Sequence, residues 1–193
     1  FQSDIVIKIA PPTLEEIQMM KERGILVSAL HLRAQNQDYF KALSRKRITA
    51  LCYEHIRDFN NSHPVMQSLS EIVGQSSILI AAEYLCHPTY GRGKMLGGFS
   101  GGNPSEVVIL GAGTVAEYAA RAALGLGAFV KVFDNSTHKL RRLQANLNMR
   151  LFTSILHSEV LHEALKSADV VIGALYAPNG STVSIVSEEM VQS

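Results

Sequence analysis

Small residues at a fixed spacing, Gly111-x-Gly113-x-x-Ala116, follow directly on the apolar run Val107-Val-Ile-Leu110. An acid, Asp134, closes the next apolar run, Phe129-Val-Lys-Val-Phe133. After a strand, the first small residue allows a tight turn and the second lets backbone N–H groups approach a pyrophosphate, while Ala116 still permits close packing of helix on strand. A helix opening near Thr114 would aim its positive end at that phosphate, so Gly111, Gly113, Thr114 and Val115 form the expected cradle. Asp134 lies 18 residues beyond Ala116, near the roughly 20 expected of an acid that holds the adenosine ribose. Its charge would repel a 2′-phosphate, which favours NAD; Arg141 and Arg142 nearby keep NADP as the alternative.

In open parallel sheets ligands gather at the carboxyl ends of strands, and three strand-like runs in the first third of the chain end at Ala10, His31 and Tyr53-Glu54. His31 is the candidate that matters, because an imidazole can hydrogen-bond or protonate a carbonyl oxygen during its reduction. The competing reading is a hydrogen-bonded structural histidine. Glu54 and Asp58 could serve as acids, although carboxylates at strand ends commonly cap or solvate. Tyr53 fits a binding residue or an amphipathic strand end equally well. The six other histidines, His55, His63, His87, His138, His157 and His162, lack the HxxxH or HExxH spacing that would put two ligands on one helix face, so no metal is expected. Cys52 and Cys86 form no CxxC pair and read as reduced thiols in a cytoplasmic protein.

These residues need elements to hold them. Strands are expected at 5–9, 25–30 and 48–53, with helices from Leu14 and Gln37 between them, an alternation that implies parallel pairing. Thr13 with Glu16 makes a capping box, Asn36 is a good N-cap, and Arg45-Lys-Arg47 suits a helix C-terminus. A long apolar helix is expected from Ser68 to Leu85, opened by Ser68-x-x-Glu71 and buried between domains. Glycine-rich loops follow, at His87-Pro-Thr-Tyr-Gly-Arg-Gly93 and Gly97-Gly-Phe-Ser-Gly-Gly-Asn-Pro104. Alternation then resumes, with strands at 107–111, 128–134, near Leu151 and at 169–175, and helices from Thr114, Thr137, Ser158 and Ser187.

The expected architecture is therefore α/β: a Rossmann-like doubly wound parallel sheet plus part of a second α/β domain for substrate. The organisation reads as a partial substrate domain at 1–65, an interdomain helix and linker at 66–103, and an NAD-binding domain at 104–193. The 193 residues are 47% hydrophobic and 18% charged, with a net charge of +1. That balance suits a soluble globular protein and gives no electrostatic case for nucleic acid. No apolar stretch reaches a membrane span. The start at Phe1 and the end in a helix-like segment lead us to expect further chain on both sides.

Read in order, these features resemble the alanine dehydrogenase and transhydrogenase α-subunit family, more closely its alanine dehydrogenase branch. The resemblance is carried by Asp4-Ile-Val-Ile-Lys-Ile-Ala-Pro-Pro12, Leu30-His-Leu-Arg-Ala34, Tyr53-Glu54, Leu69-Ser-Glu-Ile-Val-Gly74 and Gly91-Arg-Gly-Lys-Met-Leu-Gly-Gly98. It continues through Val107-Val-Ile-Leu-Gly-Ala-Gly-Thr-Val115, Asp134 with Lys139-Leu-Arg141, and Ala168-Asp-Val-Val-Ile-Gly-Ala174. It implies an interrupted substrate domain, a second domain that binds NAD(H), and hydride transfer between a small amino acid and its 2-oxo acid in a cytoplasmic homo-oligomer. His31 matches the family's catalytic histidine. Ser70 resembles a serine that contacts the cofactor, Lys139 joins Asp134 on the adenosine side, and Leu175 with Tyr176 resembles the loop beside the nicotinamide.

One departure matters. The family's dehydrogenases carry a substrate-binding lysine two residues after the position of Lys8, where this chain has Ala10. The transhydrogenase α-subunits also lack that lysine. The alternatives to a dehydrogenase are thus the NAD(H)-binding component of a proton-translocating transhydrogenase, or a non-catalytic NAD-binding protein. A substrate arginine near the family's N-terminus, and an aspartate past the fourth strand of its second domain, would fall outside these residues.

Overall fold

The structure, a computed structural model, describes residues 3–175 and 184–192. Two compact units are present, the first ending at Ser68 and the second beginning at Leu69.

The first unit is a three-stranded parallel sheet of β1 (Ile5–Lys8), β2 (Ile25–Ser28) and β3 (Thr49–Cys52), paired in that order. Helix α1 (Leu14–Met19) joins the first two strands and α2 (Gln37–Arg45) the last two. Residue alternation decides which face is covered. Val6, Leu26 and Ala50 pack with Ile17 of α1, its C-cap Met20, and Tyr39 and Leu43 of α2, whereas Ile5, Ile7 and Leu51 on the other face are exposed. The capping box forms as expected, Thr13 Oγ1 accepting from Glu16 N and the Glu16 carboxylate from Thr13 N, and Asn36 caps α2 through Tyr39 N. Lys46 closes α2, but its amine reaches across to the carbonyls of Gln18 and Met20 at the end of α1.

The second unit is a four-stranded parallel sheet in the order β6-β5-β4-β7, made of β4 (Glu106–Leu110), β5 (Phe129–Phe133), β6 (Phe152–Ser154) and β7 (Val170–Gly173). The chain moves outward from β4 to β6 and then returns to pair β7 with β4. The winding direction therefore reverses between β4 and β7, where doubly wound sheets open a crevice for ligand. Helix α4 (Thr114–Gly125) follows β4, α5 (Thr137–Leu147) follows β5, α6 (Ser158–Lys166) follows β6, and α7 is Glu188–Gln192. Both faces of β4 are buried: Val107 and Ile109 against α4 and α5, Val108 and Leu110 against α6. The contact face of α4 is all alanine, at 116, 119, 120 and 123, which lets backbone approach backbone.

The long helix α3 differs from its sequence-based expectation in its start. It spans Pro64–Cys86, opening at a proline that needs no N–H partner in a first turn. Ser68 is consequently interior, and its hydroxyl donates back to the Pro64 carbonyl. Within this chain Gly74, Ile78 and Leu85 of α3 are buried, while Ile72, Val73, Leu79 and Ile80 are exposed. Gly74 is where α3 crosses α4: a Cβ there would stand 2.4 Å from the Val115 carbonyl oxygen. The glycine-rich segment also packs on the second unit, Leu96 joining its core and Ser105 N donating to Gly97 O.

Candidate functional site

The turn after β4 is built around two glycines with different jobs. Gly111 has φ +113°, and a Cβ on it would lie 2.4 Å from the Ala174 carbonyl oxygen, just past β7. Packing and backbone conformation both exclude a side chain there. A Cβ on Gly113 would meet nothing within 4 Å. Gly113 is also the N-cap of α4 and supplies no side-chain cap, so the first N–H groups of the helix, at Thr114 and Val115, face this open space without one. Such a space beside uncapped N–H groups fits a pyrophosphate.

Asp134 sits at the end of β5, only 7% exposed. Its Oδ2 accepts from Ala112 N at 2.8 Å and its Oδ1 from Ser136 N at 2.7 Å. A carboxylate oxygen has two acceptor directions, so each retains one for a ribose hydroxyl. Lys139 is exposed in the first turn of α5, which Ser136 caps through Lys139 N. Arg141 and Arg142 are exposed further along that helix. Leu175 follows β7, its backbone N beside Gly111. The structure thus brings Gly111, Gly113, Thr114, Val115, Asp134 and Leu175 to the carboxyl end of one sheet. Ser70 lies half-buried on α3, and Tyr176 lies outside the described residues.

In the first unit, the register pairs Ser28 at the end of β2 with Cys52 at the end of β3. His31 and Glu54 follow these two positions and meet. Glu54 Oε2 accepts the backbone N–H groups of Leu30 and His31, each at 2.9 Å, and its Oε1 lies 2.9 Å from His31 Nδ1. The Cys52 thiol also donates to Oε2. Burial opposes the charge on Glu54, but the His31 N–H, the Cys52 thiol, the Leu30 N–H and the His31 ring outweigh it and hold the carboxyl down at about 2. Burial pushes the Cys52 thiol up, which keeps it a donor. His31 takes φ +45°, an uncommon conformation for a residue with a side chain, and its ring remains 55% exposed.

Asp58 is turned inward on its own loop, accepting from Asn60 N, Ser62 N and the Ser62 hydroxyl. Tyr53 is buried and its hydroxyl donates to the Ile9 carbonyl, so it pins the end of β1. The residue that sequence reasoning undervalued is Glu54. Its pairing with His31 could have been found from the expected parallel register, which sets the ends of neighbouring strands side by side. Among the described residues no group of three or more His, Cys, Asp or Glu side chains gathers to hold a metal, and no helix is long and apolar enough to cross a membrane.

Comparison with known proteins gives the family. Residues 1–73 match "Alanine dehydrogenase/PNT, N-terminal domain", and residues 77–193 match "Alanine dehydrogenase/PNT, C-terminal domain". The chain is 37% identical over 191 residues to an alanine dehydrogenase of Methanococcus maripaludis, covering 99% of this chain and 51% of that protein. It is 34% identical over 189 residues to one from Mycobacterium tuberculosis, covering 98% and 51%. A solved L-alanine dehydrogenase superposes with a TM-score of 0.86 at 33% identity, over 98% of this chain and 52% of that one. A transhydrogenase from Sinorhizobium meliloti, at 18% identity and a TM-score of 0.76, covering 98% of this chain and 55% of that one, shares the fold. The chain spans about half the length of the curated relatives it matches. With both domain descriptions matched in order over nearly the whole chain, this chain belongs to the alanine dehydrogenase/PNT family.

Proposed function

We propose that this protein is an NAD-dependent oxidoreductase of the alanine dehydrogenase type, which interconverts a small amino acid and its 2-oxo acid. The observation that carries the reading is His31: a half-exposed imidazole at the carboxyl end of a parallel sheet, gripped by a carboxylate through one nitrogen. The open space over Gly113 and the acceptors of Asp134 supply the cofactor half of the argument.

When bound, the nicotinamide supplies or takes up the hydride. The N–H groups of the turn and of the α4 N-terminus hold the pyrophosphate, and Asp134 holds the adenosine ribose while repelling a 2′-phosphate. Lys139 assists on the adenosine side, and Ser70, Leu175 and Tyr176 act as further cofactor contacts. In reductive amination, a 2-oxo acid, ammonia, a hydride and a proton give the amino acid and water. Protonated His31 donates to the carbonyl oxygen that leaves as water; in the reverse direction the neutral ring takes that proton back from the water that adds to the imine carbon. Two free cysteines suit a reducing, cytoplasmic setting, and the exposed apolar residues of α3 suit a homo-oligomer.

Ala10 favours a second reading. It offers no amine to a substrate carboxylate, and the nearby Lys8 amine is taken by Glu16. An NAD(H)-binding component that passes hydride to a partner's nucleotide needs no such group. The test is NADH-dependent reductive amination of pyruvate and a panel of 2-oxo acids by the full-length protein, with His31→Ala beside it. The dehydrogenase reading expects turnover that falls by about 10² to 10⁴ in the variant while NADH binding persists. No turnover on any 2-oxo acid would remove it.

A further inference from the structure

We propose that Glu54 is a positioning residue that decides which ring nitrogen of His31 carries the proton, an inference that rests on the acid–base role assigned to His31 above. Among the described residues, each hydrogen-bond partner given for Glu54 is a donor or is required to become one. The N–H groups of Leu30 and His31 and the Cys52 thiol all point hydrogens at its oxygens. An ionised carboxylate accepts only, so the 2.9 Å contact to Nδ1 needs a hydrogen on Nδ1. The proton is thereby fixed on the inner nitrogen, and Nε2 is left as the one atom that changes state. On the neutral ring Nε2 accepts, and on the charged ring it donates. Both directions of a reversible proton transfer can then use one atom without rotating the ring.

The same carboxylate holds the backbone. His31 stands at φ +45°, and two successive N–H groups converge there on Glu54 Oε2. Glu54 thus fixes where the imidazole starts as well as how its ring is protonated. A purely structural Glu54 would do only the first.

Glu54→Gln separates the two roles. Its amide oxygen can still accept from Leu30 N and His31 N, whereas its NH₂ group turned toward Nδ1 donates, and this moves the ring proton to Nε2. Full-length protein labelled with ¹⁵N-histidine reports the tautomer directly on the neutral ring, the His31 signal being assigned by its loss in His31→Gln. The wild-type protein should show Nδ1–H and Glu54→Gln should show Nε2–H. Turnover with NADH, ammonia and a 2-oxo acid should fall by about 10² to 10⁴, as when a carboxylate that sets an imidazole tautomer is replaced by an amide, with the KM for NADH nearly unchanged. A wild-type His31 protonated on Nε2, or a Glu54→Gln protein that keeps full turnover, overturns the proposal. The wild-type spectrum decides even if the variant fails to fold. If the wild-type protein turns over nothing yet shows Nδ1–H, the dehydrogenase reading fails and the positioning by Glu54 stands.

Discussion

Asp134 Oδ2 accepts the backbone N–H of Ala112 at 2.8 Å, so the acid that ends β5 also holds the middle of the glycine turn that ends β4. One side chain thereby shapes the turn and, in the function proposed above, also discriminates between cofactors. Asp134→Asn keeps an acceptor for Ala112 N only by turning its NH₂ group toward Ser136 N, so it loses the charge and one of the two hydrogen bonds, and should narrow the preference for NADH over NADPH at a cost of about 1 kcal/mol. Asp134→Ala should narrow it too, and should also cost about 1–3 kcal/mol, because the buried Ala112 N–H is left without a partner. Titration with both nucleotides and urea unfolding check the two effects separately. An undiminished NADH preference in Asp134→Asn would show that charge repulsion is not the discriminator.

The two glycines of the turn should fail in opposite ways. Gly111→Ala places a Cβ 2.4 Å from the Ala174 carbonyl oxygen at a φ of +113°, so it should destabilise the second unit by roughly 2 kcal/mol or more. Gly113→Ala meets nothing within 4 Å and should stay within about 1 kcal/mol of wild type. Its methyl group, however, enters the space assigned to the pyrophosphate, so NADH affinity should fall by about tenfold or more. Thermal unfolding and NADH titration of both variants give the comparison. Unchanged NADH binding in Gly113→Ala would remove the pyrophosphate from that position.

Local chemistry made much of this fold legible. The capping box of Thr13 and Glu16, the Asn36 cap, the glycine turn and the alternation of apolar runs each depend on residues a few positions apart, and each appears where the spacing requires. What short-range spacing does not show is contact between distant residues. Glu54 reads as an ordinary strand-end carboxylate until the register of β2 with β3 brings it to a residue 23 positions earlier. The start of α3 was misread because Ser68-x-x-Glu71 has the form of a cap, while Pro64 four residues before it already opens the helix. Apolar residues all round a helix do not tell which of them find a neighbour within this chain. Gly74, Ile78 and Leu85 do, and Ile72, Val73, Leu79 and Ile80 do not.

Glu54 makes stability depend on pH in a definite direction. Its carboxyl is held at about 2 against an ordinary 4.5, so the folded state favours the charged form. The stabilisation is therefore fully present above pH 4.5 and is lost as pH falls from there toward 2. Glu54→Gln has no charge to lose. The stability gap between wild type and this variant, measured by urea unfolding, should be widest near neutral pH and close through that acid window. A gap that stays constant would mean that the carboxylate is not held in its charged form by the donors around it.

Ala10 is the position at which function can be tested by gain. It is exposed just beyond β1, and the backbone around it is pinned, the Ile9 carbonyl by the Tyr53 hydroxyl and its own carbonyl by the Ser28 hydroxyl. A lysine placed there starts from a fixed point, and Lys8 cannot substitute while its amine is held by Glu16. Ala10→Lys in the full-length protein should lower the KM for pyruvate by about tenfold or more, the usual worth of a hydrogen bond to a charged group. NADH affinity should not change, because the glycine turn and Asp134 are untouched. Steady-state kinetics over a panel of 2-oxo acids measures both. If wild type and variant alike reduce none of them, the first unit does not hold a 2-oxo acid, and the reading as an NAD(H)-binding component takes precedence.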